Sequence, residues 1–259
     1  MLSFSFLDIF SQLNQFLWPL FRIAGFFMAA PIFGARLVPV RIRMVLALSV
    51  TAVIYQTIDE VPDVDALSLA GATIAIYQVV IGIMMGFTLQ ILFQIGAVGG
   101  QIIAMQNGLG FAQMMDPVNG VNVATISQFF IISANLIFLS MNGHLLLFKM
   151  LLESFQNVPI GPHIFPSTRF LDLASFGTWM FQGALLIALP AVVALLAVNI
   201  SFGVMARVAP QLNIFAIGFP FTLMLGLVVL WIVFGGFAAQ FTRFVYECVD
   251  MLRYLVSAY

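Results

Sequence analysis

Apolar runs dominate this chain, and short clusters of proline, glycine and charge separate them. Six runs can be read. The first, roughly Phe6 to Phe33, contains Pro19 and Arg22. It is therefore not a clean bilayer span, which needs about 20 apolar residues. The second, about Met44 to Tyr55, is too short unless its flanks snorkel. The third, Ala66 to Met115, carries no charge and predicts a helix longer than one membrane thickness. A fourth run covers Pro117 to Phe148, a fifth Leu173 to Ala206 and a sixth Val208 to Thr242. In the closing segment, Arg243 to Tyr259, the charges Arg243, Glu247, Asp250 and Arg253 recur every three or four residues. That spacing predicts an amphipathic tail helix with its charges on one face.

Composition fixes the solvent. Of 259 residues, 63% are apolar and 7% are charged, and the mean hydropathy is +1.12. A soluble domain carries about 25% charge, so the pattern belongs to an integral membrane protein. A net charge of −1 gives no electrostatic case for nucleic acid. Cys248 is the only cysteine, which excludes an internal disulfide and a cysteine metal cluster. No Lys or Arg precedes Arg22, so the positive start of a secretory signal is missing and the N-terminus is expected to be retained.

The connections suggest a topology. "GARLVPVRIR", 34–43, holds Arg36, Arg41 and Arg43, whereas "DEVPDVD", 59–65, holds four carboxylates. The basic loop reads as cytoplasmic and the acidic one as the opposite side. The N-terminus then starts outside, and six crossings return the C-terminus there. "FQNVPIGPHIFPSTR", 155–169, reads as a loop because of its three prolines.

Several residues are expensive in lipid. Gln78, Gln90, Gln94 and Gln101 interrupt the third run, Asn135, Asn142 and His144 the fourth, and Asn199 the fifth. Amides in hydrocarbon need partners across helices. Gly82/Gly86 and Gly96/Gly100 are GxxxG pairs that permit close backbone approach. Together they suggest helices packed mainly on protein, although an ordinary six-helix bundle explains the glycines equally well. Arg22 should face protein, water or helix carbonyls.

Little points to catalysis. His144 and His163 have no histidine or cysteine at ligand spacing, and no HExxH, GxSxG or P-loop occurs. Asp116 is the only acid between Asp65 and Glu153. Beside Pro117 it suits a helix N-cap, with the proline as first helical residue; its rival role is a proton-relay carboxylate.

One stretch fits neither helix nor ordinary hydrophilic loop: "GLGFAQMMDPVNG", 108–120. Its glycines permit a non-helical path. At membrane depth such a backbone is tolerated only where it lines a cavity or is buried in protein. Met114, Met115 and Phe111 supply soft apolar bulk. Farther on, "ARVAPQLNIFAIGFP", 206–220, predicts a tight reversal between two long helices, with Arg207 at its tip, Pro210 breaking the helix and Pro220 kinking the last one.

"RIAG…GARLVPVRIR" at 22–43, "LGFAQMMDPVNG" at 109–120, "MNGHLLL" at 141–147, "VPIGP" at 158–162 and "RVAPQLNIFAIGFPFTL" at 207–223 follow one another in order. Together they resemble the R subunit of the flagellar type III protein-export gate, the FliR family, whose injectisome counterpart is the T subunit. The resemblance covers essentially the whole chain. It implies an all-α integral membrane-type protein of long, kinked helical hairpins packed in a helical hetero-oligomeric export gate. About 1–205 would resemble the P-type partner plus an extension, and about 174–259 would contain a Q-like hairpin. The partners implied are the P and Q subunits, the B and A export-apparatus subunits, unfolded flagellar export substrates and membrane lipid, with no cofactor. The location implied is the bacterial inner membrane at the flagellar basal body, with much of the gate on the periplasmic side. In that setting 108–120 projects into the lumen as a plug, formed by Gly108, Gly110, Phe111, Met114, Met115, Asp116 and Gly120. Arg22, Gly82, Gly86, Gly96, Gly100 and His144 serve packing and interface. A non-enzymatic channel subunit is the expectation; a secondary transporter or a purely structural membrane scaffold are its rivals.

Overall fold

The computed structural model describes residues 6–35, 38–58, 61–62, 64, 68–116, 120–161, 166–208 and 214–257. Within them the chain is helical apart from one small hairpin. The elements are α1 (Phe6–Ala29), α2 (Val40–Ile54) with a 3-10 turn (Tyr55–Thr57), α3 (Leu69–Gln106), β1 (Gln113–Met115), β2 (Asn122–Ala124), α4 (Thr125–Ser140), α5 (Gly143–Asn157), α6 (Ser167–Val208) and α7 (Ile214–Leu255).

The helix limits follow local chemistry. Pro39 supplies an extended entry to α2, which its fixed φ permits at a helix start. Ser68 Oγ accepts the Gly71 N–H at 3.0 Å and caps α3. The fourth apolar run does not continue through Phe148 as one helix. It breaks at Met141–Asn142, where Asn142 adopts the left-handed conformation at φ 57° ahead of α5. Asparagine tolerates that region better than most residues, and glycine follows it. The tail is not a separate element either: α7 runs on through Arg243 to Leu255. The Arg243–Glu247 pair at 2.8 Å and the Arg253–Asp250 pair at 3.6 Å lie along it at helical spacing. The proline-rich connection is shorter at both ends, because α5 reaches Asn157 and α6 starts at Ser167.

Among the described residues four helices are long and apolar enough to cross a membrane, Val40–Thr57, Leu69–Gln106, Thr168–Val208 and Ile217–Leu255, or up to five if α4 and α5 form one broken span. The sequence suggested six crossings. α1, which carries Arg22, is not among the qualifying helices.

The chain divides into two compact units. One comprises Met1–Gln90, Asn142–Phe176 and Cys248–Tyr259, and the other Ile91–Met141 and Gly177–Glu247. In the first, α1 lies at backbone distance from the N-terminal part of α3. A Cβ at Gly25 would fall 2.5 Å from the Val79 carbonyl oxygen, and one at Gly82 would fall 2.0 Å from that of Arg22. Trp18, Phe26, Phe27, Met85, Leu89 and Leu151 fill its core. At its edge the Arg169 guanidinium lies 4.2 Å over the Tyr254 ring and donates to the Tyr254 carbonyl and to Ser257 Oγ. The Tyr254 hydroxyl donates to Asp172 Oδ2 at 3.0 Å.

The second unit is held by aromatic packing. Phe130 meets Phe237 edge-on with centroids 4.8 Å apart, Phe129 meets Phe234 at 4.5 Å, and Phe93 meets Phe138 at 5.3 Å. These separations are in the favourable range for ring pairs. Trp179 donates its indole N–H to Glu247 Oε2 at 2.7 Å, tying α6 to α7.

Candidate functional site

The 108–120 stretch is the connection between α3 and α4, and its geometry starts with how α3 stops. Gly108 has φ 76°, a left-handed conformation open to glycine. The Gly108 N–H donates to the Met105 carbonyl at 3.2 Å, and the Leu109 N–H to the Ala104 carbonyl at 2.9 Å. That pair of bonds is a Schellman ending, which turns the chain out of the helix while satisfying two of its last carbonyls.

Beyond it the chain forms an antiparallel hairpin. Gln113 pairs with Ala124, Met114 with Val123 and Met115 with Asn122. Gly120, at φ 68°, donates its N–H to the Asp116 carbonyl at 2.7 Å. The Asp116 N–H donates to the Val121 carbonyl at 2.8 Å. Three bonds fasten the base: Gln101 Oε1 on α3 accepts the Ala124 N–H at 3.2 Å, and the Thr125 N–H and hydroxyl both donate to the Ala112 carbonyl, at 2.9 and 3.0 Å.

Asp116 is buried, but it is not a helix N-cap. α4 begins only at Thr125, with Ala124 in the cap position. The competing hydrogen bonds of the hairpin hold Asp116 in the turn instead, and Pro117 lies outside the described residues.

The hairpin presents apolar side chains outward. Phe111 is 97% exposed, Met115 67% and Met114 50%. Met105, at the end of α3, and Val121 are exposed beside them. Gln101, Met105, Gly108, Gly110, Phe111 and Gln113 line a groove at the hairpin base. Exposed apolar surface of this kind marks a contact site.

Arg22 is the second feature. It is fully buried in the first unit, and helix-end carbonyls and an amide surround it. Its Nε donates to Gln78 Oε1 at 2.8 Å, its Nη1 to the Ser154 carbonyl at 2.6 Å and its Nη2 to the Val158 carbonyl at 2.8 Å. The Phe155 ring lies 4.2 Å from the guanidinium carbon. These partners use the planar fork of arginine to close α1, α3 and the C-terminal end of α5 around one point. Ser154 and Phe155 gave no signal in the sequence, because nothing in the pattern couples α5 to Arg22.

The four GxxxG glycines are internal to the chain. Gly82 and Gly86 face α1, where a Cβ at Gly86 would fall 2.7 Å from Ala29 Cβ. Gly100 faces α4, where a Cβ would lie 2.6 Å from Ser127 Cα, and Gly96 makes ordinary contact with Phe130. Their cover is therefore this chain's own helices, as is that of the buried Gln78, whereas Gln101 is half-buried at the groove beside the hairpin. His144 is half-buried, with Nδ1 buried and unpartnered among the described residues.

The ends of α6 and α7 lie against each other. Phe202 meets Phe221 with ring centroids 5.5 Å apart, near the connection that joins the two helices. Arg207 is exposed in the last turn of α6, and Pro220 is exposed inside α7. Pro210 lies outside the described residues, as do Arg36, His163 and the four acids of the 59–65 loop.

No group of three or more His, Cys, Asp or Glu among the described residues could hold a metal ion. The described geometry assembles no nucleophile with a base.

The sequence model of bacterial export proteins, family 1, matches residues 13–248. The flagellar biosynthetic protein FliR of Escherichia coli (strain K12) is 39% identical over 217 residues, 84% of this chain and 83% of that one. FliR of Pectobacterium carotovorum subsp. carotovorum is 36% identical, over 89% of this chain and 88% of its own. The surface presentation of antigens protein SpaR of Shigella flexneri is 26% identical over 60% of each chain. With the match running through α1 to α7 and through the hairpin between α3 and α4, the chain belongs to family 1 of the bacterial export proteins, the family of FliR.

Proposed function

We propose that this chain is a core channel subunit of the flagellar type III protein-export gate, and that the hairpin after α3 is its resting seal. As an export-family member it works with other export subunits. The reading assigns it the P and Q subunits as neighbours, the B and A subunits as further contacts, and unfolded flagellar proteins as cargo. It locates the assembly in the inner membrane at the flagellar base, with much of it toward the periplasm. Its apolar α6 and α7 surfaces and its export-family relatives favour that location.

One observation carries the reading. Between two helix segments that are well packed, the chain puts out a short hairpin with Phe111, Met114 and Met115 facing outward. A seal must exclude water, which needs close apolar contact. It must also yield to a passing chain, which disfavours strong directional bonds. Methionine meets both demands, since its dispersion contacts are individually small and its side chain has many rotamers. Gly108 and Gly120, both at positive φ, set the two bends.

Deletion of 110–115 tests it. The complex should still assemble: the deletion removes the Ala112 carbonyl that Thr125 meets, but the bonds that end α3 and the Gln101–Ala124 bond lie outside it. Resting conductance of the reconstituted complex should rise well above that of the parent. An assembled deletion that conducts no more than the parent would reduce the hairpin to a mere connection.

A further inference from the structure

Asn107 is the last residue before the Gly108 bend, and its side chain is anomalous. It is 1% exposed, yet neither Oδ1 nor Nδ2 has a hydrogen-bond partner among the described residues. A buried amide left unmade at both ends is unfavourable, and proteins rarely keep one without a reason. What it touches is the backbone of α7. A Cβ at Gly226 would fall 1.7 Å from Asn107 Oδ1, 2.2 Å from Cγ and 2.6 Å from Nδ2. With the Asn107 amide in this position, a side chain at Gly226 has no room. One face of α7 reaches the same bend again two turns earlier, where a Cβ at Gly108 would lie 3.2 Å from the Phe219 ring. The root of the hairpin is thus wedged against α7 at two points, both by shape and neither by a hydrogen bond.

We infer that Asn107 and Gly226 form a steric latch through which the position of α7 decides whether the hairpin stays seated. The inference rests on the reading of the hairpin as a seal. With α7 close, the Asn107 amide fills the notch that Gly226 leaves, and Gly108 cannot rotate its side of the bend outward. When α7 withdraws, the amide is released to water or to the backbone of a passing chain, and its unmet donors and acceptor are satisfied. The closed state is held by packing that carries an unsatisfied amide, and the open state regains the hydrogen bonds. This near balance suits an element that must open under modest force. Asn107 acts as a positioning residue in this scheme, not as a part of the sealing surface itself.

Three variants of the full complex, compared with the 110–115 deletion, test the latch. Gly226→Ala pushes a methyl into the amide and should unseat the hairpin, raising resting conductance severalfold toward the deletion's level while the subunits still co-purify. Asn107→Ala in the same chain removes the atoms that clash and should return conductance to near the parent's. Asn107→Cys with Gly226→Cys, oxidised to a disulfide, should abolish export of substrate, and reductant should restore it. Cys248 is buried, so it does not compete for the bond. A leaking deletion beside a tight Gly226→Ala would overturn the latch and leave the seal standing. A tight deletion would remove the seal and the latch with it. Should Gly226→Ala fail to assemble, the cysteine pair decides alone: export that continues with the disulfide formed sinks the latch.

Discussion

α3 and α7 are nearly the same length, 38 and 42 residues, and both are strongly apolar. Yet 67% of the apolar window of α3 is buried inside the protein, against 11% of that of α7. The difference is visible at the glycines. In α3, a Cβ at Gly82, Gly86 or Gly100 would strike the backbone or Cβ of another helix within 3 Å. In α7, Gly235 and Gly236 have nothing within 4 Å, and in α6 the same holds for Gly203. Around the α7 pair, Leu227, Trp231 and Ile232 stand exposed. Apolar content says only that water is absent. What replaces the water is a separate question, and in α3 the answer is mostly this chain itself.

The largest expected effect of that contrast is at Gly82. Gly82→Ala places a methyl 2.0 Å from the Arg22 carbonyl oxygen, and the obstacle is backbone, which cannot rotate aside. α1 and α3 must part, and overpacking of this sort costs about 3 kcal/mol or more. The purified chain should lose its sharp thermal transition or aggregate in detergent. A Gly82→Ala protein that melts like the parent would mean that α1 and α3 are not joined at backbone distance, and the comparison with α7 would lose its basis.

Arg22→Met comes next, in the same interface. The substitution keeps the aliphatic bulk but strands Gln78 Oε1 and the Val158 carbonyl, which Arg22 now satisfies, while the Ser154 carbonyl keeps the Val158 N–H at 3.0 Å. Each buried acceptor left unmade costs about 1–3 kcal/mol. Part of that is offset, because a buried charge no longer has to be held away from water. A net loss of about 2–4 kcal/mol follows. It should appear as a lowered melting temperature, with Gln78→Leu in the same chain giving less than the sum of the two single losses. Strict additivity would argue that the two side chains do not share one network.

The contrast also marks where sequence stops being informative. The long runs, the amides within them and the odd 108–120 stretch are all legible, because each departs from a uniform apolar background. The break at Met141–Asn142 is not, since it needs one left-handed residue inside an otherwise continuous run. Nor are β1 and β2: three residues each are too few to show an alternating period. The merging of the sixth run with the tail was hidden by a change of composition that leaves the helical period intact. The faces of the glycines stay open in the sequence for a deeper reason. A GxxxG pair reports that some backbone comes close, but not whose. The pairing of Asn107 with Gly226, and of Arg22 with Ser154, arises from tertiary contact between distant segments that no local pattern encodes.

The smallest expected effect, and the one that separates the helices most cleanly, is at Gly236. Alone, the chain offers no obstacle to a side chain there. Alanine in a helix interior is favoured over glycine by about 0.5–1 kcal/mol, because glycine loses more backbone freedom on folding. Gly236→Ala should therefore leave the isolated chain unchanged or raise its melting temperature by a few degrees, the opposite sign to Gly82→Ala. The assembled gate makes a different demand. If α7 is covered by the P or Q subunit at backbone distance, Gly236→Leu obstructs that approach while the isolated chain tolerates it. The proposed function expects this outcome: normal folding, with loss of the neighbouring subunits on co-purification. Full retention of the complex by Gly236→Leu would assign that face to lipid, which accommodates a leucine freely. The apolar surface of α7 around Gly235 and Gly236 would then be a membrane surface, and those two glycines would have no packing role.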